Sequence, residues 1–135
     1  MTSPQPTVWP AFRARDARAL IRFLVDVLGF QETVVHRDGD LVAHAQLAWP
    51  EGGGVMLGSA RDAVDDPWPV VPGTAACYVV TADPEGVHSR AVAAGAEILR
   101  APYTTDYGSR DVTLRDPEGN LWQFGTYAGE PRRSA

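Results

Sequence analysis

The stretch Asp116-Pro117-Glu118-Gly119-Asn120-Leu121-Trp122-Gln123-Phe124-Gly125-Thr126-Tyr127 decides how the remainder of the chain is read. Its first four residues are turn chemistry: proline presets φ, glycine accepts a positive φ, and the aspartate side chain can accept from the backbone ahead of it. From Leu121 onward apolar residues alternate with polar or small ones, the pattern of a strand with one buried face. Alternation puts Leu121, Gln123 and Gly125 on one face and Trp122 and Phe124 on the other. The two large aromatics are therefore predicted core, and Gln123 is predicted to look away from it.

Working back from that turn, residues 112–115, 98–101 and 75–81 read as strands. Between the last two, Asp83 is placed to cap a short helix with Pro84 at its first position, and Gly95 stops it. Residues 101–111 read as a loop carrying Tyr103, Tyr107 and the pair Arg110-Asp111. Residues 61–72, with Pro67, Pro69 and Pro72, read as a linker.

Ahead of the linker the same order is found. Residues 7–14 read as a strand, with Pro10 hinting at an edge or a bulge. Asp16 caps a helix on which Leu20, Phe23, Leu24, Val27 and Leu28 lie on one face, and Gly29 ends it. Strands over 31–36, 41–49 and 55–58 follow, the first two joined across Arg37-Asp38-Gly39-Asp40, whose Asp-Gly step marks a hairpin. On the strand 41–49, alternation sets Leu41, Ala43, Ala45, Leu47 and Trp49 against Val42, His44, Gln46 and Ala48. The caps Asp16 and Asp83, the stops Gly29 and Gly95, and the strand glycines Gly58 and Gly125 recur at nearly one separation. Three kinds of landmark keeping step argue for an internal repeat.

The whole chain has 135 residues, 44% of them hydrophobic and 21% charged, which fits one compact domain with a genuine core. A net charge of -5 disfavours a nucleic-acid partner, which would want a basic face. No apolar run approaches the length of a membrane span, and the opening residues have neither the basic nor the apolar region of a secretory leader. A cytoplasmic protein is expected. The one cysteine, Cys77, lies in the apolar run Ala75-Ala76-Cys77-Tyr78-Val79-Val80 and reads as an inert core thiol.

A doubled β-α-β-β-β unit, with Phe23-Leu24-Val25-Asp26-Val27-Leu28-Gly29-Phe30 in the first half and Asp116 to Phe124 closing the second, resembles the vicinal oxygen chelate superfamily. That group includes glyoxalase I, bleomycin-resistance proteins and extradiol dioxygenases. The resemblance implies an α+β fold: two tandem βαβββ modules forming a curved mixed-sheet cup with helices outside. One domain is expected, with a first module over about 7–59, a linker at 60–74, a second module over about 75–127 and a frayed tail at 128–135.

Metal-dependent members of that family carry ligands on the first and last strands of each module, commonly histidines and carboxylates. Carried over, the positions are Trp9, Met56 or its neighbour Leu57, Cys77 and Gln123. Tryptophan and methionine do not coordinate a hard divalent ion, and one neutral amide is a weak donor. His36 and His44 face each other across the hairpin without a matching carboxylate, and His88 falls on the second helix. Arg13 stands where glyoxalase-like members hold a substrate carboxylate, a role a guanidinium fork suits, though pairing with an acid of the chain is the equal alternative.

The resemblance together with the missing donors implies a metal-independent small-molecule binding protein of the bleomycin-resistance type. It would take up a planar or aromatic ligand in the cup, for sequestration, and act as a homodimer. The alternative is a glyoxalase-like lyase or isomerase, or another vicinal oxygen chelate enzyme, with a displaced or atypical metal site. Candidate ligand-binding residues are Trp9, Arg13, His44, Met56, Cys77, Tyr103, Tyr107 and Gln123. No catalytic residue is assigned. No metal or other cofactor, nucleic acid or membrane is expected as a partner.

Overall fold

The computed structural model describes residues 5–62, 64 and 66–133. Ala63 and Asp65 of the linker, Ser134 and Ala135 of the tail, and the first four residues lie outside them.

In the first half, β1 (Ala11–Ala14) feeds α1 (Ala17–Phe23), which widens into a π-helical turn, Leu24–Leu28. Asp16 fixes the helix start by accepting from the Ala19 N–H at 3.1 Å. Gly29 closes the turn in the left-handed region, with φ of 100°, where a side chain would be strained. Leu20, Leu24 and Leu28 are fully buried, whereas Phe23 and Val27 flank that stripe and are half-buried. Three strands follow: β2 (Gln31–Asp38), β3 (Leu41–Ala48) and β4 (Gly54–Ser59).

The second half repeats this order. β5 (Ala76–Val80) leads to α2 (Pro84–Ala93), capped by Asp83 through the Gly86 N–H at 3.0 Å. Then come β6 (Glu97–Thr104), β7 (Arg110–Arg115) and β8 (Leu121–Gly125). The sheets have the orders β1-β4-β3-β2 and β5-β8-β7-β6. In each, the first and last strands of the half run parallel and the other neighbours antiparallel. Identical connectivity in two four-stranded mixed sheets is the α+β, two-module architecture expected.

Asp116 ties the closing turn to the core. Its Oδ1 accepts from the N–H groups of Glu118, Gly119 and Asn120 at 2.9–3.0 Å, and its Oδ2 accepts from Asn120 Nδ2 and Trp122 Nε1, each at 2.8 Å. Glu118 reaches the other module, accepting from the backbone N–H groups of Arg15 at 2.7 Å and Asp16 at 2.9 Å. Gly119, with φ of 102°, supplies the left-handed step that lets the loop curl round the carboxylate.

The two halves meet through the helix-bearing sides of their sheets. Phe12 and Phe30 pack edge-on to Trp122, with ring centroids 5.9 and 5.5 Å apart, and Trp49 contacts Phe124 at 5.7 Å. Trp49 Nε1 donates to the Val80 carbonyl at 2.9 Å, and Arg90 Nε on α2 donates to the Val27 carbonyl at 2.8 Å. Trp122 and Phe124 are both fully buried, as alternation from Gln123 required. Consequently the opposite face of each sheet, which carries no helix, is open.

Three expectations need correction. β1 begins at Ala11, so Trp9 precedes it, Pro10 having no N–H to add to a ladder. β6 and β7 extend into the segment read as a loop, leaving only 105–109 between them and placing Tyr103 on β6. On β3 the alternation fails at its start: Val42 is buried, and Leu41 and Ala43 are exposed. The pairing register with β2 shifts there, from His36 opposite His44 to Arg37 opposite Val42, so a bulge at Ala43 turns the strand over.

Candidate functional site

The open face of the first sheet gathers Ala11 and Arg13 of β1, Met56 and Gly58 of β4, and His44 and Gln46 of β3, as the register pairs them. Trp9 continues the same side ahead of β1, its ring lying where a side chain at residue 54 would stand, which Gly54 leaves free. His36 faces His44 from β2, the rings near-parallel with centroids 6.3 Å apart. A shallow cavity of about 260 Å³ lies among Ala11, Arg13, His44, Met56, Gly58 and Trp68.

Arg13 is not free in this arrangement. Its Nη2 pairs with Asp66 Oδ1 at 2.6 Å, its Nε donates to the Trp68 carbonyl at 3.1 Å, and its Nη1 donates to the Ser59 carbonyl at 3.2 Å. Asp66 also accepts from the Trp68 N–H at 3.0 Å. The guanidinium thus folds the linker back over the first open face and sets Trp68 at its edge. Of the two readings of Arg13, the structure shows the pairing with an acid of the chain.

The open face of the second sheet is built differently. Gln123 on β8 lies between Tyr78 of β5 and Thr113 of β7, and the neighbouring row runs Val80, Gly125, Asp111 and Tyr103. Asp111 is fully buried and accepts from Ser109 Oγ at 2.5 Å and from Gln123 Nε2 at 3.0 Å. Tyr127 N–H donates to Ser109 Oγ at 3.1 Å, and the Tyr78 hydroxyl donates to the Tyr127 carbonyl at 2.8 Å. Tyr107 packs edge-on to Tyr127 at 5.6 Å, and Arg100 lies over the Tyr103 ring, 3.4 Å from its centroid. Burial is the chief cause that raises the Tyr78 phenol above its ordinary pKa, so the hydroxyl stays a neutral donor.

Cys77 is not on this face. It pairs with Trp122 across β5 and β8 and packs toward the core, and Tyr78 takes the place beside Gln123 that family spacing had given to Cys77. A one-residue slip on a strand exchanges its faces, which is the reason for the difference. The thiol lines a second cavity of about 420 Å³ between the modules, with Pro10, Phe30, Trp49, Val79 and Trp122 among its walls. Burial first, and then the nearby Asp116 charge, push the Cys77 pKa up to about 11, so the sulfur is protonated at neutral pH.

The structure therefore brings Arg13, His44 and Met56 together on one open face, with Trp9 beyond β1, and Gln123, Tyr103 and Tyr107 on or beside the other. Sequence reasoning missed Asp111, Ser109, Tyr78 and Tyr127, which are joined to one another and to Gln123 mainly by bonds between distant parts of the chain. Trp68 and Asp66 were passed over as linker. By the register that sets Tyr78 beside Gln123, Ala11 and not Trp9 stands beside Met56, so the coordinating positions hold Ala11, Met56, Tyr78 and Gln123, a set with no imidazole or carboxylate. Among the described residues no three His, Cys, Asp or Glu side chains converge. These residues do not fit a divalent metal of the family type.

A family model for the glyoxalase/bleomycin resistance protein/dioxygenase superfamily matches residues 8–124. The chain belongs to that superfamily. Among solved structures it is similar to TioX from Micromonospora sp. ML1, with 26% identity and a TM-score of 0.71 over 91% of this chain and 98% of that one. The fold is shared with lactoylglutathione lyase from Agrobacterium tumefaciens (22% identity, TM-score 0.66, 91% and 94% covered). It is shared also with a superfamily domain from Frankia sp. EAN1pec (17%, 0.67, 91% and 98%). No curated protein matches the chain significantly. Among the described residues no helix is long and apolar enough to cross a membrane.

Proposed function

We propose that this superfamily member is a metal-independent binding protein of the bleomycin-resistance type, which sequesters a planar or aromatic small molecule on its open sheet faces. The observation that carries this reading is the residue set at the coordinating positions: Ala11, Met56, Tyr78 and Gln123 offer contact area, one phenol and one amide, where coordination needs imidazole and carboxylate. The surroundings suit such a ligand. The first face is floored by Ala11, Met56 and Gly58, and the second sets Tyr78, Tyr103, Tyr107 and Tyr127 on or beside the Gln123 amide.

One copy leaves each open face without an opposing wall. A homodimer that sets the first face of one copy against the second face of its partner would enclose the ligand on both sides, in keeping with a cup shared between subunits. Sedimentation at micromolar concentration is expected to give a dimer of the 14.6 kDa chain. The net charge of -5 disfavours a nucleic-acid partner and agrees with a protein acting on small molecules.

Trp68, half exposed at the rim of the first face, is a natural reporter. Titration of tryptophan emission against a panel of planar antibiotics and aromatic metabolites is expected to show saturable binding by at least one compound. Folded protein that binds none of them would sink the reading. Elemental analysis of protein purified without chelator is expected to find no stoichiometric transition metal; finding one would return the alternative, an enzyme with a displaced metal site.

A further inference from the structure

We infer that Asp111 is a positioning residue: it holds the Gln123 amide with its oxygen outward, so that the second open face selects planar ligands bearing an N–H or O–H donor. This rests on the binding reading above and adds the chemistry of the ligand's edge.

Asp111 lies in β7 with no exposed surface, directly opposite Gly125 of β8. Both side chains that meet its carboxylate oxygens do so as donors. Ser109 does so through Oγ at 2.5 Å and Gln123 through Nε2 at 3.0 Å. Were the amide reversed, its carbonyl oxygen would face the carboxylate and two acceptors would be set together, with the hydrogen bond lost. The amide is thus locked by its neighbour, and its Oε1 receives no donor from the described residues.

The rest of the network has the same polarity. Tyr127 N–H donates to Ser109 Oγ, and the Tyr78 hydroxyl spends its proton on the Tyr127 carbonyl, leaving lone pairs on its own oxygen. Gly125 makes the arrangement possible, because a Cβ there would run into the Asp111 carboxylate and the Tyr78 hydroxyl. Arginines stand only at the rim: Arg100 on β6 is stacked on Tyr103, Arg110 is bonded to Glu85 at 2.7 Å, and Arg115 pairs with Glu97 at 3.0 Å. The centre of the face therefore offers acceptors, namely Gln123 Oε1 and the Tyr78 oxygen, between aromatic rings. A flat ligand is held best when its edge supplies the protons.

Two planar monocations of the same ring system isolate this term: 9-aminoacridine, which carries N–H donors, and 10-methylacridinium, which has none. Fluorescence titration of the intact protein is expected to give 9-aminoacridine an advantage of about tenfold, the worth of one well-placed hydrogen bond. In Asp111→Asn the new amide can pair with Gln123 in either orientation, and the advantage is expected to fall to about parity. Gln123→Leu, which removes the acceptor without disturbing the buried acid's backbone, should do the same and serves if Asp111→Asn fails to fold. A purely structural Asp111 would weaken both probes alike and leave their ratio unchanged.

Equal affinities in the wild type, or a ratio that survives in the variants, would overturn the inference and leave the binding reading standing. Failure of both acridines to bind folded wild-type protein counts against the planar-ligand reading itself, and the inference falls with it.

Discussion

Replacing Asp116 by alanine is expected to cost this protein a large part of its stability, although the residue belongs to a surface turn. The carboxylate accepts five hydrogen bonds, two of them from the fully buried Trp122 indole and the nearly buried Asn120 amide. Alanine offers neither donor a replacement acceptor. A buried donor left without a partner costs about 1–3 kcal/mol, and the three turn N–H groups lose a shared acceptor that water replaces in part. The sum is about 3–5 kcal/mol, against a total stability on the order of 5–15 kcal/mol for a domain. Urea unfolding followed by tryptophan emission would read this as a midpoint lowered by roughly 2 M, for a slope of about 2 kcal/mol/M. Asp116→Asn keeps the three turn bonds at one oxygen but turns an NH₂ toward two donors, so an intermediate loss of about 2 kcal/mol is expected. A loss under about 1 kcal/mol for Asp116→Ala, at unchanged slope, would refute the claim that the turn is anchored through this acid.

Four further outcomes follow from named residues. Cys77, with its pKa raised from 9.0 to about 11, should react with a thiol reagent at pH 8 about a hundredfold more slowly in the folded protein than in urea. Because the folded state holds that proton more tightly, the associated stability is fully present below the unfolded value and is lost as pH rises from 9 toward 11, which unfolding at graded alkaline pH would show. Gly125→Ala should destabilise the fold by about 1–3 kcal/mol, since the new methyl meets Asp111 and Tyr78, and thermal unfolding measures it; an unchanged midpoint would contradict the close packing of that row. Asp66→Ala should free Arg13 and release the Trp68 segment, seen as lower tryptophan anisotropy and as weak new affinity for aromatic carboxylates; unaltered anisotropy would argue against the latch.

Much of the fold was legible because its signals are local. The caps Asp16 and Asp83, the stops Gly29 and Gly95 and the Asp-Pro-Glu-Gly turn each act within a few residues, and their recurrence disclosed the repeat. The buried aromatics of β8 followed from period two alone. Alternation misled where the ladder is irregular: the bulge at Ala43 turned Val42 inward, and carrying family spacing onto β5 chose Cys77 when Tyr78 shares the face of Gln123. Little near Asp111 in the chain distinguishes it from Asp106, because the partner that gives it a role, Gln123, lies on the neighbouring strand.

Composition, periodicity and turn chemistry by themselves determined a doubled βαβββ chain, since those properties depend on residue type and near neighbours, and the family resemblance implied that its coordinating positions lack the usual metal donors. Only the tertiary structure decided that Arg13 is held by Asp66, that Cys77 faces the core, and that a buried aspartate turns the Gln123 amide outward. Each of those depends on strand register and on hydrogen bonds between residues far apart in the chain, which bring together side chains whose local sequences carry no sign of one another.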